Sequence, residues 1–420
     1  RNNLDLRQGA LRIVEARAIR GGAKSALLPS VDLVGTALKT EASEHSLSLA
    51  ANATQYQLGA EIGWELDFWG RIRRSIESAD AQLLATEADF NDFRTIIATE
   101  VANTYIQLRA AEIRLGLAEE SVQIQEKLLS NTRAQFDLGE GTKLDVAQAE
   151  AIFYDTQALV PALKRQRALA RNGLAVLLAI PGNELDTLVQ SAEPALPRMG
   201  DSINIGVPAD LVLQRSDIVA AEFRAISAAA AAGVAEADRR PNISLGGSLL
   251  FEVIDGAPTP AGGAQGSDLG DLLSIDSLAY AIAPSINLPI FDGKRRLNNV
   301  RAADARYQSS LENLRQAIIL ALSEVNNAIV SIETAAQEST YLQASVASYA
   351  LAYETANIQY VEGDIAFTPV LDSLRQRVAQ EQRLVLAQSA LAAGIVDLFR
   401  SLGGGWQDNQ IPLLPAETIQ

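Results

Sequence analysis

The chain has 420 residues, and its 51 Asp and Glu residues outnumber its 35 Lys and Arg residues, which gives a net charge of −16. An acidic chain without a basic run is a poor partner for nucleic acid, because neutralising phosphates needs a basic surface. With no cysteine and one histidine, the chain also lacks the residues for a thiol nucleophile, a cysteine zinc site or a paired-histidine metal site.

Enzyme chemistry has little support in the sequence. The single histidine, His45, lies in the polar stretch "TEASEHSLSLAANAT", which favours a solvated loop over a Ser-His-Asp triad. We find no nucleophile–base pair, phosphate loop or metal constellation, so we predict a protein that is not an enzyme, with no catalytic residues, cofactor or metal. No run of 18 apolar residues occurs either, which predicts that helical membrane spans are absent.

The first half of the chain begins inside an amphipathic helix, so we expect that any targeting peptide lies outside this sequence. Two segments of alternating polarity follow, residues 30–40 and 53–68, and an alternation of period two predicts β-strands. From Arg71 to Leu138 there is no proline and one glycine, which predicts a helix of ~100 Å at 1.5 Å per residue. A glycine-marked turn and a returning helix complete this half near residue 180.

The second half repeats this order after a proline-rich connector, residues 181–208. A helix leads into predicted strands 241–254 and 276–290, which are separated by a loop rich in Gly and Pro. A second long helix has neither proline nor glycine from Lys294 to Glu362, and it is followed by a turn and a returning helix that ends near residue 402. Residues 403–420 form a tail.

The chain is two copies of one unit. Within "ELDFWGRIRR" (65–74) and "NLPIFDGKRR" (287–296), Phe68 matches Phe291 and Gly70 matches Gly293 at an offset of 223, and "FDLGEGTKLDV" (136–146) matches "YVEGDIAFTPV" (360–370) at an offset of 224. Matching segments at a nearly constant offset indicate an internal repeat. We therefore predict a first repeat over residues 1–180, and a second repeat over residues 209–402.

The strands imply a membrane and an oligomer. A helix of ~100 Å can touch a sheet only at its end, so it cannot cover the apolar face of these strands. Lipid can cover that face, as in transmembrane β-barrels, where strands alternate between apolar outward and polar inward residues. A barrel in lipid must close, and four strands are too few, so several copies of the chain must associate.

These residues resemble the TolC-like outer-membrane efflux proteins of Gram-negative bacteria, in the OprM/NodT-like branch that serves tripartite RND-type drug-efflux pumps. The resemblance spans nearly the whole chain in family order. The matching segments are "NNLDLRQGALRIVEARA" (2–18), "LLPSVDLVG" (27–35), "ELDFWGRIRR" (65–74), "ANTYIQLRAAE" (102–112), "FDLGEGTKLDVAQAEA" (136–151), "RSDIVAAEFR" (215–224), "RRPNISLGGS" (239–248), "PSINLPIFDGKRR" (284–296), "YVEGDIAFTPVLDSLRQ" (360–376) and "LGGGW" (402–406).

The resemblance implies a mixed α/β membrane protein. A homotrimer would form a 12-stranded transmembrane β-barrel, four strands per chain, continued by a long periplasmic α-helical barrel of coiled-coil hairpins. The connector 181–208 and the tail 403–420 would lie in an equatorial region, and loops 40–52 and 255–275 would face the exterior. The implied partners are outer-membrane lipid, a periplasmic adaptor (membrane fusion) protein and an inner-membrane RND-type pump. Members of this branch usually begin with an acylated cysteine, so we expect that the mature protein is a lipoprotein that starts before residue 1.

The resemblance also implies a gate at the periplasmic end. The "V-L-D" element that carries the gate aspartate in relatives is matched by "TPVLDSLRQ" (368–376), which places Asp372 on that position. A second aspartate of relatives corresponds to Pro369, and an arginine of the tip corresponds to Ile365, so neither is carried over. Tyr360 and Asp145 match a tyrosine and an aspartate that hold the tip closed in relatives. As alternatives, Asp145 and Asp372 favour helix starts, and Tyr360 packs between helices.

Two further sets of residues follow from the same comparison. The turn residues expected to contact the adaptor are Gly139, Glu140, Gly141, Gly363 and Asp364. The residues expected to face lipid are Tyr56, Leu58, Ile62, Trp64, Phe251, Tyr280 and Ile282.

The predicted function is a passive outer-membrane exit duct for drugs and other small molecules, opened by an adaptor and a pump. Two alternatives remain open at this point. The same fold could conduct secreted proteins or metal ions, although a single Met and a single His count weakly against soft-metal export. The chain could also be a structural coiled-coil protein that is anchored in a membrane by a short barrel.

Overall fold

The computed structural model describes residues 3–41, 53–189, 194–197, 214–255 and 269–404. Most of loops 40–52 and 255–275, much of the connector and most of the tail lie outside these residues, and so does His45. The helices are α1 (Leu4–Ser25), α2 (Arg71–Asp137), α3 (Lys143–Leu178), α4 (Gly182–Val189), α5 (Ser216–Ala237), α6 (Arg295–Val361) and α7 (Thr368–Ser401). The strands are β1 (Ser30–Thr40), β2 (Ala53–Leu66), β3 (Asn242–Asp255) and β4 (Leu278–Asn287).

All four predicted strands are present, and three of them have shifted ends. The prediction 53–68 runs past the end of β2 at Leu66, because Asp67 instead caps the next helix: its carboxylate accepts hydrogen bonds from the backbone N–H groups of Ile72 and Arg73, at 2.9 and 3.0 Å. The prediction 276–290 is too long at both ends. A 3-10 turn, Ile275–Ser277, precedes β4, and the strand already ends at Asn287. The prediction 241–254 lies one residue early.

The strands form one antiparallel sheet in the order β1-β2-β3-β4. Within the described residues, β1 and β4 each pair with one neighbour, so the sheet has two edges whose backbone groups have no strand partner in the chain. Unpaired edges invite further strands. Along β2 the polar parity carries cross-strand hydrogen bonds, such as Thr36 Oγ1 to Gln57 Oε1 at 3.1 Å.

The chain divides into two compact units that cut across the sequence repeats. The sheet unit comprises residues 13–86 and 221–314, and the helical unit comprises residues 1–12, 87–220 and 315–420. In the sheet unit, helix α2 is tied to its neighbours by polar contacts: Asp80 pairs with Arg20 of α1, and Ser78 Oγ donates to the Ser227 carbonyl of α5 at 3.1 Å.

A buried arginine holds together three elements of the helical unit. Arg215, just before α5, forms a bidentate pair with Asp217 at 3.0 and 2.8 Å and contacts Glu324 of α6 at 2.8 Å. Its third nitrogen donates to the Ser401 carbonyl at the end of α7, at 2.9 Å. Burial lowers the pKa of Arg215, but the hydrogen bonds to the two carboxylates outweigh it and raise the pKa above the usual value.

Three helices, α5, α6 and α7, are long and apolar enough by length and composition to cross a membrane, with 18-residue windows of mean hydropathy 1.5, 1.3 and 1.4. This finding concerns length and composition alone, so the absence of helical membrane spans stays a prediction. It required an unbroken apolar run, whereas these windows are rich in alanine and leucine interrupted by Ser, Gln and Asn.

Candidate functional site

Two turns, residues 138–142 and 362–367, reverse the chain between the long helices, and they have the same geometry. Gly139 and Gly363 have φ values of 78° and 85°, in the left-handed region that L residues with a Cβ rarely adopt. Each helix ends in the same pair of hydrogen bonds: Gly139 and Gly363 donate to the carbonyls of Phe136 and Tyr360, both at 3.0 Å, and the next residue donates one position further back at 2.9 Å. The two turn glycines therefore have a structural role.

Asp145 is part of a capping box at the start of α3. Its carboxylate accepts from the Thr142 backbone N–H at 3.0 Å and from the Thr142 hydroxyl at 2.6 Å, while the Thr142 hydroxyl accepts from the Asp145 N–H at 3.2 Å. This arrangement satisfies backbone donors at the helix start and places a negative charge at its positive end. The geometry therefore supports the helix-start alternative for Asp145.

Tyr360 links the two turns. Its hydroxyl donates to Gln135 Oε1 on α2 at 2.7 Å, and its ring lies 5.0 Å from the ring of Phe367, which is fully buried. Burial, and then the negative charge of Asp145, raise the pKa of Tyr360. The raised pKa keeps the Tyr360 hydroxyl protonated, as its donated hydrogen bond to Gln135 requires.

Asp372 lies on the first turns of α7 and has a different environment. Its carboxylate pairs with Arg375, one turn along the helix, at 3.1 Å, and both side chains are 58% exposed. An exposed pair of this kind contributes little stability, so the carboxylate is available to solvent. Pro369 lies in the first turn of the same helix, where its missing N–H costs nothing.

A buried cluster fixes the two turns against each other. It combines Leu128 and Leu129 of α2 with Phe367, Val370 and Leu374 at the start of α7. The side chains of Tyr360 and Ile365 pack against it, so the position matched to an arginine in relatives here joins the apolar core. The polar side chains at the two turns therefore lie next to a buried apolar cluster.

The sheet places all seven residues expected to face lipid on one side. The register pairs Leu58 with Phe251, and Ile62 and Ile282 both pair with Gly247. Tyr56, Trp64 and Tyr280 have the same parity, and directly paired residues project to the same face. This apolar face carries large exposed side chains along all four strands, including Leu33, Ile62, Tyr280 and Ile286.

Several residues at the turns were not predicted as site residues. Gln135, Thr142, Phe367 and Arg375 partner the predicted Tyr360, Asp145 and Asp372. The Thr-x-x-Asp spacing from Thr142 is a capping signal that is readable in the sequence. Among the described residues no group of three or more acidic or histidine side chains could hold a metal ion.

Replacing Asp145 by Ala is expected to lower the free energy of unfolding by about 1 kcal/mol, because the capping box is lost. Thr142→Ala breaks the same box and is the matched variant. If both variants shift the urea midpoint of unfolding equally and leave the channel conductance unchanged, Asp145 acts as a helix cap. A conductance change in Asp145→Ala that Thr142→Ala does not reproduce would instead give the carboxylate a role in the channel.

The chain combines an open sheet that has one apolar face with two helical hairpins. The first hairpin pairs a helix of 67 residues with one of 36, and the second pairs a helix of 67 residues with one of 34. This combination defines a subunit of an outer-membrane channel. The outer membrane efflux protein family matches residues 1–179 and 207–404. The chain belongs to this family. It is an outer-membrane efflux channel of a Gram-negative bacterium with a periplasmic extension, and not an enzyme.

Similar proteins support the same assignment over almost the whole chain. The cation efflux system protein CusC of Escherichia coli O6:H1 is 27% identical over 97% of this chain and 84% of its own length. The solvent efflux pump outer membrane protein SrpC of Pseudomonas putida is 28% identical over 97% and 84%. The solved structure of the outer-membrane channel OprN is 32% identical, covers 97% of this chain and 88% of its own, and superimposes with a TM-score of 0.87.

Proposed function

We propose that three copies of this chain form a passive exit duct from the periplasm to the exterior. The observation that carries the proposal is the four-stranded sheet: among the residues that the structure describes, its apolar face is exposed and its two edge strands each pair with one neighbour. Three such sheets joined edge to edge give twelve strands in a closed barrel, which satisfies every edge in lipid. The two helical hairpins of each chain continue the wall into the periplasm.

The apolar face of the sheet contacts lipid and the opposite face lines the lumen. Tyr56, Leu58, Ile62, Trp64, Phe251, Tyr280 and Ile282 meet the bilayer. On the other parity, Gln57, Glu61 and Glu65 and the bonded Ser244–Ser285 pair suit water. In this proposal each repeat, residues 1–180 and 209–402, supplies two strands and one hairpin, while the connector 181–208 and the tail form the equatorial region.

The gate lies at the turns. Three copies of Asp372 converge on the threefold axis, where their negative charges repel each other and attract cations. Tyr360, bonded to Gln135, holds the two turns of each chain together, and Asp145 supports this link through the start of α3. The exposed turn residues Gly139, Glu140, Gly141, Gly363 and Asp364 contact a periplasmic adaptor, which opens the gate.

The energy and the substrate come from an inner-membrane RND-type pump. The names of similar proteins cover cation and solvent efflux, so one duct architecture serves different cargoes. This range of cargoes is consistent with selection of the cargo by the pump, before it reaches the duct. For this chain, drugs and other small molecules remain the favoured cargo, because one Met and one His offer few soft ligands for metal ions.

Replacing Asp372 by Ala is expected to raise the single-channel conductance of trimers in planar bilayers and to weaken their preference for cations, because the acidic ring is removed. Arg375→Ala frees the same carboxylate from its 3.1 Å pair and should strengthen cation preference. Asp304→Ala, an exposed acid of α6 remote in sequence from the turns, is the control. Equal conductance and selectivity in all four proteins would contradict the gate.

A further inference from the structure

Basic residues gather at one end of the sheet, although the chain as a whole carries a net charge of −16. Segments 71–74, 239–240 and 294–296 follow β2, precede β3 and follow β4. Because these strands are antiparallel, the three segments meet at the same end of the sheet. Eight of their nine residues are basic and form what we call the basic cluster: Arg71, Arg73, Arg74, Arg239, Arg240, Lys294, Arg295 and Arg296.

Five residues of the basic cluster already have a carboxylate partner. The pairs are Arg71–Glu65, Arg73–Asp67, Arg74–Glu77, Arg239–Glu236 and Arg296–Asp292, at 2.6–3.4 Å. Within the described residues, Arg240, Lys294 and Arg295 form no ion pair, although Asp292 also interacts with the charge of Arg295. The remaining acid of this region, Asp238, does not balance three cations. A net positive charge is therefore left for a negatively charged ligand.

A cavity of about 270 Å³ lies among these residues. The cations that line it are Arg71, Arg240, Arg295 and Arg296. Guanidinium groups suit phosphate, because their planar N–H donors match two oxygens at once. Leu66 and Ile243, which pair with each other on the apolar face of the sheet, also line the cavity. The cations therefore lie next to the face expected to meet lipid.

Trp69 positions one of the unpaired cations. Its Nε1 donates to the Pro241 carbonyl at 2.8 Å, which ties the indole ring to the start of β3. The guanidinium of Arg240 lies over this ring, 5.8 Å from its centre. A cation over the face of an indole is held electrostatically. Arg240 is thus positioned beside the cavity in advance, which lowers the entropic cost of binding.

Large apolar side chains surround the basic cluster. The most prominent are Phe68, Trp69, Ile290 and Phe291, which are 62%, 52%, 90% and 92% exposed. Exposed aromatic residues beside cations are typical of the depth at which lipid headgroups meet hydrocarbon. This end of the sheet therefore has the chemistry of a membrane interface.

The opposite end of the sheet has a different charge pattern. There, Lys39 pairs with Glu41 at 2.6 Å, and Gln55 donates a hydrogen bond to Glu252. Among the described residues of that end, the lysine is matched by a carboxylate. The excess of positive charge is thus a property of the end at which α2 and α6 begin.

We propose that the basic cluster binds the phosphate of an anionic phospholipid in the periplasmic leaflet of the outer membrane. The extension of the channel is periplasmic and the long helices begin at this end of the sheet, so this end lies on the periplasmic side. Arg240 and Arg295 bind the headgroup, and the exposed apolar side chains contact the acyl chains. The inference rests on the lipid contact of the proposed function and deepens it, since it names the class of lipid and the residues that hold it.

Lipid association in reconstituted vesicles tests this site. The protein is inserted into phosphatidylcholine vesicles that contain a trace of spin-labelled phosphatidylglycerol or spin-labelled phosphatidylcholine, and electron spin resonance gives the bound fraction of each probe. Wild-type protein should bind the anionic probe roughly threefold more strongly than the zwitterionic one. Arg240→Gln/Arg295→Gln should bring this ratio close to one. High salt should lower the wild-type ratio in the same direction, because it screens the charges.

Two further proteins separate a site from general charge. Lys39→Gln is the matched control, since it removes an exposed cation at the opposite end of the same sheet, and it should keep the wild-type ratio. Arg240→Lys/Arg295→Lys keeps the charge but loses the planar donors, so its ratio should lie between those of the wild type and the glutamine variant. Heat-modifiable gel mobility verifies that every variant is folded.

The outcomes that contradict this site differ from those that contradict the channel. An unchanged ratio in Arg240→Gln/Arg295→Gln, or an equal loss in Lys39→Gln, would overturn the site and leave the proposed function intact. So would a change in ion selectivity without a change in lipid ratio, which would assign the cations to the lumen, since Asn242 and Asn287 of the opposite face also line the cavity. Inserted protein that binds neither lipid probe would instead contradict the lipid contact of the proposed function.

Discussion

Replacing Arg215 by Met is expected to lower the free energy of unfolding by about 3 kcal/mol. Loss of one partner from a buried ionic cluster costs roughly 3–5 kcal/mol, because the remaining charges stay in place without compensation. Asp217 and Glu324 are partly exposed, which favours the lower end of this range. The variant also releases the Ser401 carbonyl and so loosens the end of α7.

The pH dependence of this loss follows from nearby acids. Burial, and then the charge of Asp217, raise the pKa of Asp92, while Arg400 and Arg215 lower it. A carboxyl with a raised pKa in the folded state destabilises the fold as pH rises through that pKa, because the folded protein must then bury the charge. Removal of Arg215 raises the pKa further. The difference from wild type should therefore be largest at neutral pH and shrink on acidification.

Urea titration in detergent, followed by circular dichroism between pH 4 and pH 8, measures the effect of Arg215→Met. Arg239→Met is the control, since in the described part of the chain Arg239 forms an exposed pair with Glu236, and its replacement should cost less than about 0.5 kcal/mol. A loss in Arg215→Met that is no larger than in the control, or that grows on acidification, would contradict the buried cluster.

Replacing Ile62 by Arg is expected to destabilise the barrel in lipid by about 2–4 kcal/mol, if the residue lies near the bilayer midplane. Ile62 lies in the middle of the apolar face, between Val31 of β1 and Gly247 of β3. A guanidinium at this position must either enter hydrocarbon or deform the bilayer.

The matched variant is Glu61→Arg, one residue away on the opposite face. Glu61 lies opposite Asp32 and Ser248 in the sheet, so an arginine there remains in a polar setting. Folding into vesicles, measured by heat-modifiable gel mobility, should fail or weaken only for Ile62→Arg. Comparable losses in both variants, or a loss only in Glu61→Arg, would mean that the lipid and lumen faces are exchanged.

The strands and long helices were predictable because their signals are local. Alternation over residues 53–66 and the absence of proline from Arg71 to Leu138 are read directly from neighbouring residues. Strand ends were less predictable, since Phe68 continues the alternation while the Asp67 side chain already caps α2. Competition between a strand pattern and a cap is resolved only in three dimensions.

The site was predictable to a smaller extent. Glycine turns and the Thr142–Asp145 cap follow from short-range spacing, whereas the Tyr360–Gln135 hydrogen bond joins residues 225 positions apart. The buried cluster around Arg215 likewise joins Glu324 and Ser401, which no periodicity connects. Hydropathy was misleading in the helices, where alanine-rich windows reach membrane-like values.

Ion current through the purified protein in planar bilayers, with the oligomeric state verified by native mass spectrometry in the same preparation, tests whether this chain is one third of an outer-membrane duct. We expect trimers that insert from one side and give discrete, cation-preferring steps of small conductance. Trimers that insert without conducting, or a protein that inserts only as a monomer, would contradict that assignment.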